Sequence, residues 1–146
     1  MYHNNFMDIT DILNRFVIYG CLGLFLEIIW TGLMSAVKGD KNLRCGTYLW
    51  MFFIYGAGVI LEPLHELIRE FLWIYRGFIW SAVIFAVEYM TGFILKLTIG
   101  SCPWNYDGDG DEIITSVKGI IRIDYLPVWF FVGLLFERVH DFIKVL

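Results

Sequence analysis

Apolar residues run through four stretches of the chain, and each is long enough to cross a bilayer core, which takes ~20 predominantly apolar residues. The first extends from about Phe16 to Val37 and stops at the polar turn Lys38-Gly39-Asp40-Lys41-Asn42. The second begins near Thr47, stays apolar to Leu61 and then carries charge through Glu70. The third covers about 74–99 and the fourth about 127–146. The second and third are joined by a very short connection, which makes them antiparallel neighbours. The pattern predicts an all-α fold, an antiparallel four-helix transmembrane bundle, with 1–146 as a single membrane domain. It reads as free of internal repeats and of low-complexity linkers.

One long loop remains, from 100 to 126. It opens Ser-Cys-Pro-Trp-Asn-Tyr, continues Asp-Gly-Asp-Gly-Asp-Glu, and closes with an amphipathic stretch, Ile113 to Tyr125, suited to the interface plane. The acidic run resembles a calcium loop but fails its template. Glycine is absent from the sixth position, and Lys118 stands where the twelfth needs glutamate, so a solvated acidic loop is expected.

Composition agrees with the segment pattern: 58 % of residues are apolar and 18 % aromatic, which excludes an ordinary soluble domain. The N-terminal Met1–Asp11 is polar and acidic, without a cationic leader, so the first span is expected to remain as an anchor. The net charge of −4 gives no basic nucleic-acid surface, and no nucleic-acid partner is expected. Arg15, Arg69, Arg76 and Lys144 fall on the N-terminal side. Lys38, Lys41, Arg44, Lys96, Lys118 and Arg122 fall on the opposite side, which leans cytoplasmic on that excess. Cys21, Cys45 and Cys102 are too few for a disulfide framework, although a Cys45–Cys102 bridge is compatible with an oxidising compartment. Glycines 20, 23, 56, 58, 92 and 133 suit close helix packing. Trp30, Trp50, Trp73, Trp104 and Trp129 near the span ends suit interfacial anchoring.

The ionisable residues inside the spans carry the most information: Glu27, Glu62, His65, Glu66, Glu88, Glu137 and His140. A charge at mid-bilayer costs roughly 2.5–3.5 kcal/mol, so four glutamates together would cost about 10 kcal/mol. Such groups must be protonated, paired, wet or bound to a cation. At ~1.5 Å rise per residue, all four glutamates lie roughly 15–22 Å from the side opposite the N-terminus, and they are expected to meet. Two are followed by histidine three residues on, Glu62/His65 and Glu137/His140, which places each pair on one helical face.

In chain order the spans therefore carry Glu, Glu-x-x-His, Glu, Glu-x-x-His, the ligand order of di-iron and di-manganese carboxylate bundles. Glu27, Glu62, His65, Glu88, Glu137 and His140 become candidate ligands for two divalent metal ions, iron, manganese or zinc. The alternative is a protonated polar core or an ion path. Pro63 is expected to kink the second helix beside Glu62. Glu66 and Glu70 are expected to pair with Arg69 or Arg76 at a solvated helix end, and Asp141 to lie at the outer edge of the site.

The run Glu88-Tyr-Met-Thr-Gly-Phe-Ile-Leu95, the loop element Cys102-Pro-Trp-Asn-Tyr106, Gly119-Ile-Ile-Arg-Ile and Pro127-Val-Trp-Phe130 resemble the transmembrane protein 229 family. Bacterial relatives of that family are grouped as putative ABC-transporter type IV permeases. Tyr19-Gly-Cys-Leu-Gly-Leu-Phe-Leu-Glu27 and Phe53-Ile-Tyr-Gly56 fit the same pattern, so the resemblance covers nearly the whole chain. It implies four membrane helices with glutamates at positions 27, 62, 88 and 137. The two histidines are not among the positions it carries, and Asn105 stands where the family has aspartate.

Three functions follow as expectations. One is a di-iron-type oxidoreductase acting on a lipid or quinone-like molecule. Another is a small transport or permease component with an acidic proton or cation path and an ATPase partner. The third is a structural subunit. A homodimer is compatible with each.

Overall fold

The computed structural model describes residues 9–106 and 116–145. The acidic run Asp107–Glu112 and most of the polar N-terminus lie outside the described residues. Within them the chain is all-α except for one short hairpin. It divides into two compact units, Met1–Pro63 and Leu64–Leu146.

The first unit is built on α1 (Ile9–Val37) and α2 (Leu49–Gly56). Helix α1 starts earlier than hydropathy alone indicates. Asp11 sits in its first turn, where the helix dipole favours an acid, and pairs with Arg15 one turn on. The helix stops at Gly39, whose φ of +89° suits a residue without a β-carbon, and the Asp40 amide donates back to the Ser35 carbonyl. The return strand of chain is tied to α1 by Thr31, whose hydroxyl accepts from the Gly46 amide at 3.2 Å.

Contacts along α1 and α2 run in opposite directions. Phe16 meets Gly56, and Gly20 meets Phe52. A methyl group at Gly20 would lie 2.7 Å from the Phe52 ring, so the missing side chain is what admits the aromatic. This is packing by shape, as expected where lipid supplies little hydrophobic drive between helices.

The second predicted span is not one continuous α-helix. After α2 the chain tightens into a 3-10 segment, Ala57–Leu61, before α3 (Glu62–Ile68). Proline supplies the reason. Pro63 has no N–H to give the Val59 carbonyl, so the Glu62 amide donates to it from one residue closer. The predicted kink at Pro63 is thus realised as a change of helical winding just before Glu62.

The second unit contains the rest of α3, then α4 (Trp73–Thr98) and α5 (Leu126–Val145). Again the aromatic groups of one helix sit on glycines of the other, Phe130 on Gly77 and Trp80 on Gly133. Between α4 and α5 the described part of the amphipathic stretch, from Ser116 on, carries a hairpin, β1 (Ser116–Val117) antiparallel to β2 (Ile121–Arg122). Lys118 and Gly119 turn it with positive φ, and the Ile120 amide closes the turn on the Val117 carbonyl at 3.0 Å. The side chain of Ile120 is buried against Gly92.

Large apolar side chains face outward, with Phe25 60 % and Phe131 65 % exposed, while Glu62, His65, Glu137 and His140 are buried. A soluble protein shows the reverse. Helices Ile9–Val37, Leu49–Ile68 and Trp73–Thr98 are long and apolar enough to cross a membrane. Helix α5 has the length, but Glu137, Arg138, Asp141 and Lys144 crowd its second half.

Candidate functional site

In the first unit two carboxylates sit inside the spans with different company. Glu62 is 5 % exposed. It accepts from the Arg15 guanidinium at 2.9 Å and from the Tyr19 hydroxyl at 3.0 Å. Arg15 and Tyr19 are four apart on α1 and so share a face. Glu27, further along α1, accepts from the Tyr55 hydroxyl at 2.9 Å.

The second unit repeats this arrangement. Glu137 is 3 % exposed. It accepts from the Trp80 indole at 2.7 Å, and the Arg76 guanidinium lies 3.4 Å from its other oxygen. Arg76 and Trp80 are also four apart, on α4. Glu88 accepts from the Tyr106 hydroxyl at 3.0 Å.

Tyr106 is delivered by the Cys-Pro-Trp-Asn-Tyr element, which folds back on the hairpin. The Trp104 indole donates to the Ile120 carbonyl at 3.1 Å, and the Tyr106 amide donates to the Gly119 carbonyl at 2.9 Å. Trp104 therefore braces this element from within. Arg122 stacks on Tyr125, its guanidinium 4.6 Å from the ring centroid. The hydrogen-bonded Asp124 carboxylate holds that guanidinium even further above neutrality than usual.

The histidines meet at one end of the second unit. Their rings lie 5.2 Å apart, edge to face, and each is 1 % exposed. The His65 Nε2 lies 3.1 Å from Asp141, and Arg69 pairs with the same carboxylate at 2.5 Å. Reciprocally, the His140 Nε2 lies 3.2 Å from Glu66, and Lys144 pairs with Glu66 at 2.5 Å. Histidine of α3 meets the acid of α5, and histidine of α5 meets the acid of α3. That is the signature of a local two-fold relation.

The sequence explains the reciprocity. Gly58, Glu62, His65, Glu66, Ile68 and Arg69 recur as Gly133, Glu137, His140, Asp141, Ile143 and Lys144, always 75 positions later. Arg15, Tyr19 and Glu27 recur as Arg76, Trp80 and Glu88, 61 positions later. The expectation of no internal repeat is corrected: the chain contains a repeated helix pair. Its identities are few, two glutamates, an arginine, a histidine, a glycine and an isoleucine, and the other matches are conservative exchanges, so hydropathy conceals them.

Of the six candidate metal ligands, Glu27 and Glu62 belong to the first unit and His65, Glu88, Glu137 and His140 to the second. His65, Glu137 and His140 come together in the second unit, with His65 Nδ1 3.6 Å from Glu137. Glu88 accepts from Tyr106, and Glu27 and Glu62 in the first unit each have donors of their own. Among the described residues, no group of three or more His, Cys, Asp or Glu side chains is arranged to hold a metal ion. The sequence places Arg15 and Arg76 on the N-terminal side, and both reach glutamates within the spans. Their equal spacing to an aromatic and then to a glutamate was the available signal.

A family model described as putative ABC-transporter type IV matches residues 14–145. The chain belongs to the putative ABC-transporter type IV family. No curated protein and no solved structure matches it. In this type IV family member the matched range opens just before Arg15 and closes just after Lys144, so it takes in both copies of the charged pattern. Family membership and the three membrane-length helices make the chain an integral membrane protein.

Proposed function

We propose that the chain is a small membrane-embedded transport component that works with a separate ATP-hydrolysing partner, its polar interior serving a proton or other cation. One observation carries this beyond family membership. In the second unit a file of titratable groups leads from a buried carboxylate toward the exterior. Glu137 is followed by His65 at 3.6 Å and then by the half-exposed Asp141 at 3.1 Å. The His65 Nδ1 has no hydrogen-bond partner and faces the Glu137 carboxylate, which Arg76 and Trp80 hold at the inner end of the file. A core that only fixed helix register would need no graded exit to water.

The partner follows from the division of labour in such transporters. The sequence carries no glycine-rich phosphate-binding loop, so ATP must be bound elsewhere. Capture of the tagged chain from mildly solubilised membranes should recover an ATP-hydrolysing subunit. In proteoliposomes the complex should show ATP hydrolysis that falls when His65→Ala or Glu137→Gln is introduced. A recovered complex without ATPase activity, or activity indifferent to both substitutions, would overturn the proposal.

A further inference from the structure

The four glutamates within the spans fall into two chemically distinct pairs, and the repeat determines which belongs to which. Glu62 and Glu137 occupy equivalent positions on α3 and α5. Each is held by an arginine and an aromatic donor from the preceding long helix, Arg15 with Tyr19 and Arg76 with Trp80. These are neutralised, doubly anchored ion pairs. Glu27 and Glu88 occupy the other equivalent position, twelve residues after the arginine. Each accepts one hydrogen bond from a neutral tyrosine hydroxyl, and neither has a cationic partner among the described residues. The second oxygen of Glu88 is buried with no bonded partner at all.

An ionised carboxylate in that position, served by one neutral donor, is disfavoured within a bilayer. It must take up a proton, and a group that does so without a fixed counter-charge can also give it back. We infer that Glu27 and Glu88 are two equivalent proton-exchanging carboxylates, one in each copy of a duplicated helical pair, while Glu62 and Glu137 are fixed ion pairs that shape the copies. The inference rests on the transport reading for its purpose, but not for its chemistry.

The surroundings agree. Around Glu27 stand Tyr55 and the Thr47 hydroxyl, the latter outside bonding geometry. Around Glu88 stand Tyr106, the Cys102 thiol and the Trp129 indole, whose N–H is also outside bonding geometry. Among the described residues the nearest cations to Glu88 act at one remove, Lys96 on the Cys102 thiol and Arg122 over the Tyr106 ring at 5.8 Å, and neither pairs with the carboxylate.

A hydrophobic carbodiimide reports this directly. The carboxylic proton passes to a carbodiimide nitrogen while the carboxylate oxygen adds to its central carbon, and the adduct rearranges to a stable N-acylurea. Full-length protein in detergent would be treated with dicyclohexylcarbodiimide across a range of pH and mapped by peptide mass spectrometry. Glu27 and Glu88 should be modified at least roughly tenfold more than Glu62 and Glu137. Above the carboxyl's midpoint, labelling should fall roughly tenfold per pH unit. Glu27→Gln and Glu88→Gln, which mimic the protonated acid, should remain monodisperse and lose label only at the substituted site.

Equal labelling of all four glutamates, or no label at Glu27 and Glu88 at any pH, would overturn the inference. So would suppression by sodium at constant pH, which would assign the sites to a metal cation. Labelling needs no ATPase partner. Label without a partner would therefore sink the transport reading alone, and an active complex without label would sink this inference alone.

Discussion

At the scale of single residues, burial separates charges that stabilise from charges that merely decorate. Arg15 and Arg76 are mostly buried against glutamates that are themselves almost inaccessible. Removing one member of a buried pair strands the other, at a cost of about 3–5 kcal/mol. Arg76→Ala should therefore destabilise the protein by that order in detergent-based unfolding. Replacing both Arg15 and Glu62 with methionine should come close to neutral, because no uncompensated charge remains. Equal losses for the single and double replacements would show the pairs to be packing elements only. Cys102 offers a second check. It is buried under Trp104 and Ile120, and burial raises its thiol above the ordinary range, leaving less thiolate at neutral pH. A maleimide should modify the exposed Cys45 well before Cys102, and unfolding should abolish the difference.

At the scale of elements, most of the fold was legible and one feature was not. The four apolar stretches appear as helices whose ends fall within a few residues of the expected ones, except that α1 starts about two turns early. Those extra turns mix Thr10, Asp11 and Asn14 with Ile and Leu, so a hydropathy window passes over them. The 3-10 segment was half legible. Pro63 announced a disturbance, but the sequence did not say whether it would bend the axis or rewind it. Rewinding matters for the site. A 3-10 helix turns ~120° per residue against ~100° for an α-helix, so five residues change the facing of Glu62 by roughly 100°. Pro63→Ala restores an N–H at position 63 that can take over the Val59 carbonyl from the Glu62 amide, and should let Ala57–Leu61 relax toward α geometry. Glu62 would then swing away from Arg15 and Tyr19. The coupling energy between Arg15 and Glu62, measured by a double-mutant cycle, should shrink sharply in the Pro63→Ala background. An unchanged coupling would mean that glycines 56 and 58, not the proline, set the winding.

At the scale of the whole molecule, the repeated helix pair explains why the sequence pointed toward a six-ligand centre. Alternating Glu and Glu-x-x-His is what any duplicated pair of helices with those residues must show, whether or not the copies share a ligand. Depth along the span was legible from residue counting. The choice of partner was not, because it depends on which donor each carboxylate meets across a helix interface. Duplication also constrains topology, since two membrane-length helices, Leu49–Ile68 and Trp73–Thr98, separate the loop after α1 from the loop after α4. An even number of crossings returns the chain to its starting side, so the exposed Cys45 and the exposed Ser101 should face the same compartment. Cysteine introduced at Ser101 in a background without Cys102, and native Cys45 in a separate protein, should be modified by a membrane-impermeant maleimide from the same side of sealed vesicles. The lysine and arginine excess around Lys38, Lys41 and Arg44 leads us to expect that side to be cytoplasmic. Both sites should therefore be protected in right-side-out vesicles and react in inverted ones. Reaction of the two from opposite sides would mean that one of these helices fails to cross, and the equivalence of Glu27 with Glu88 would lose its basis in membrane depth.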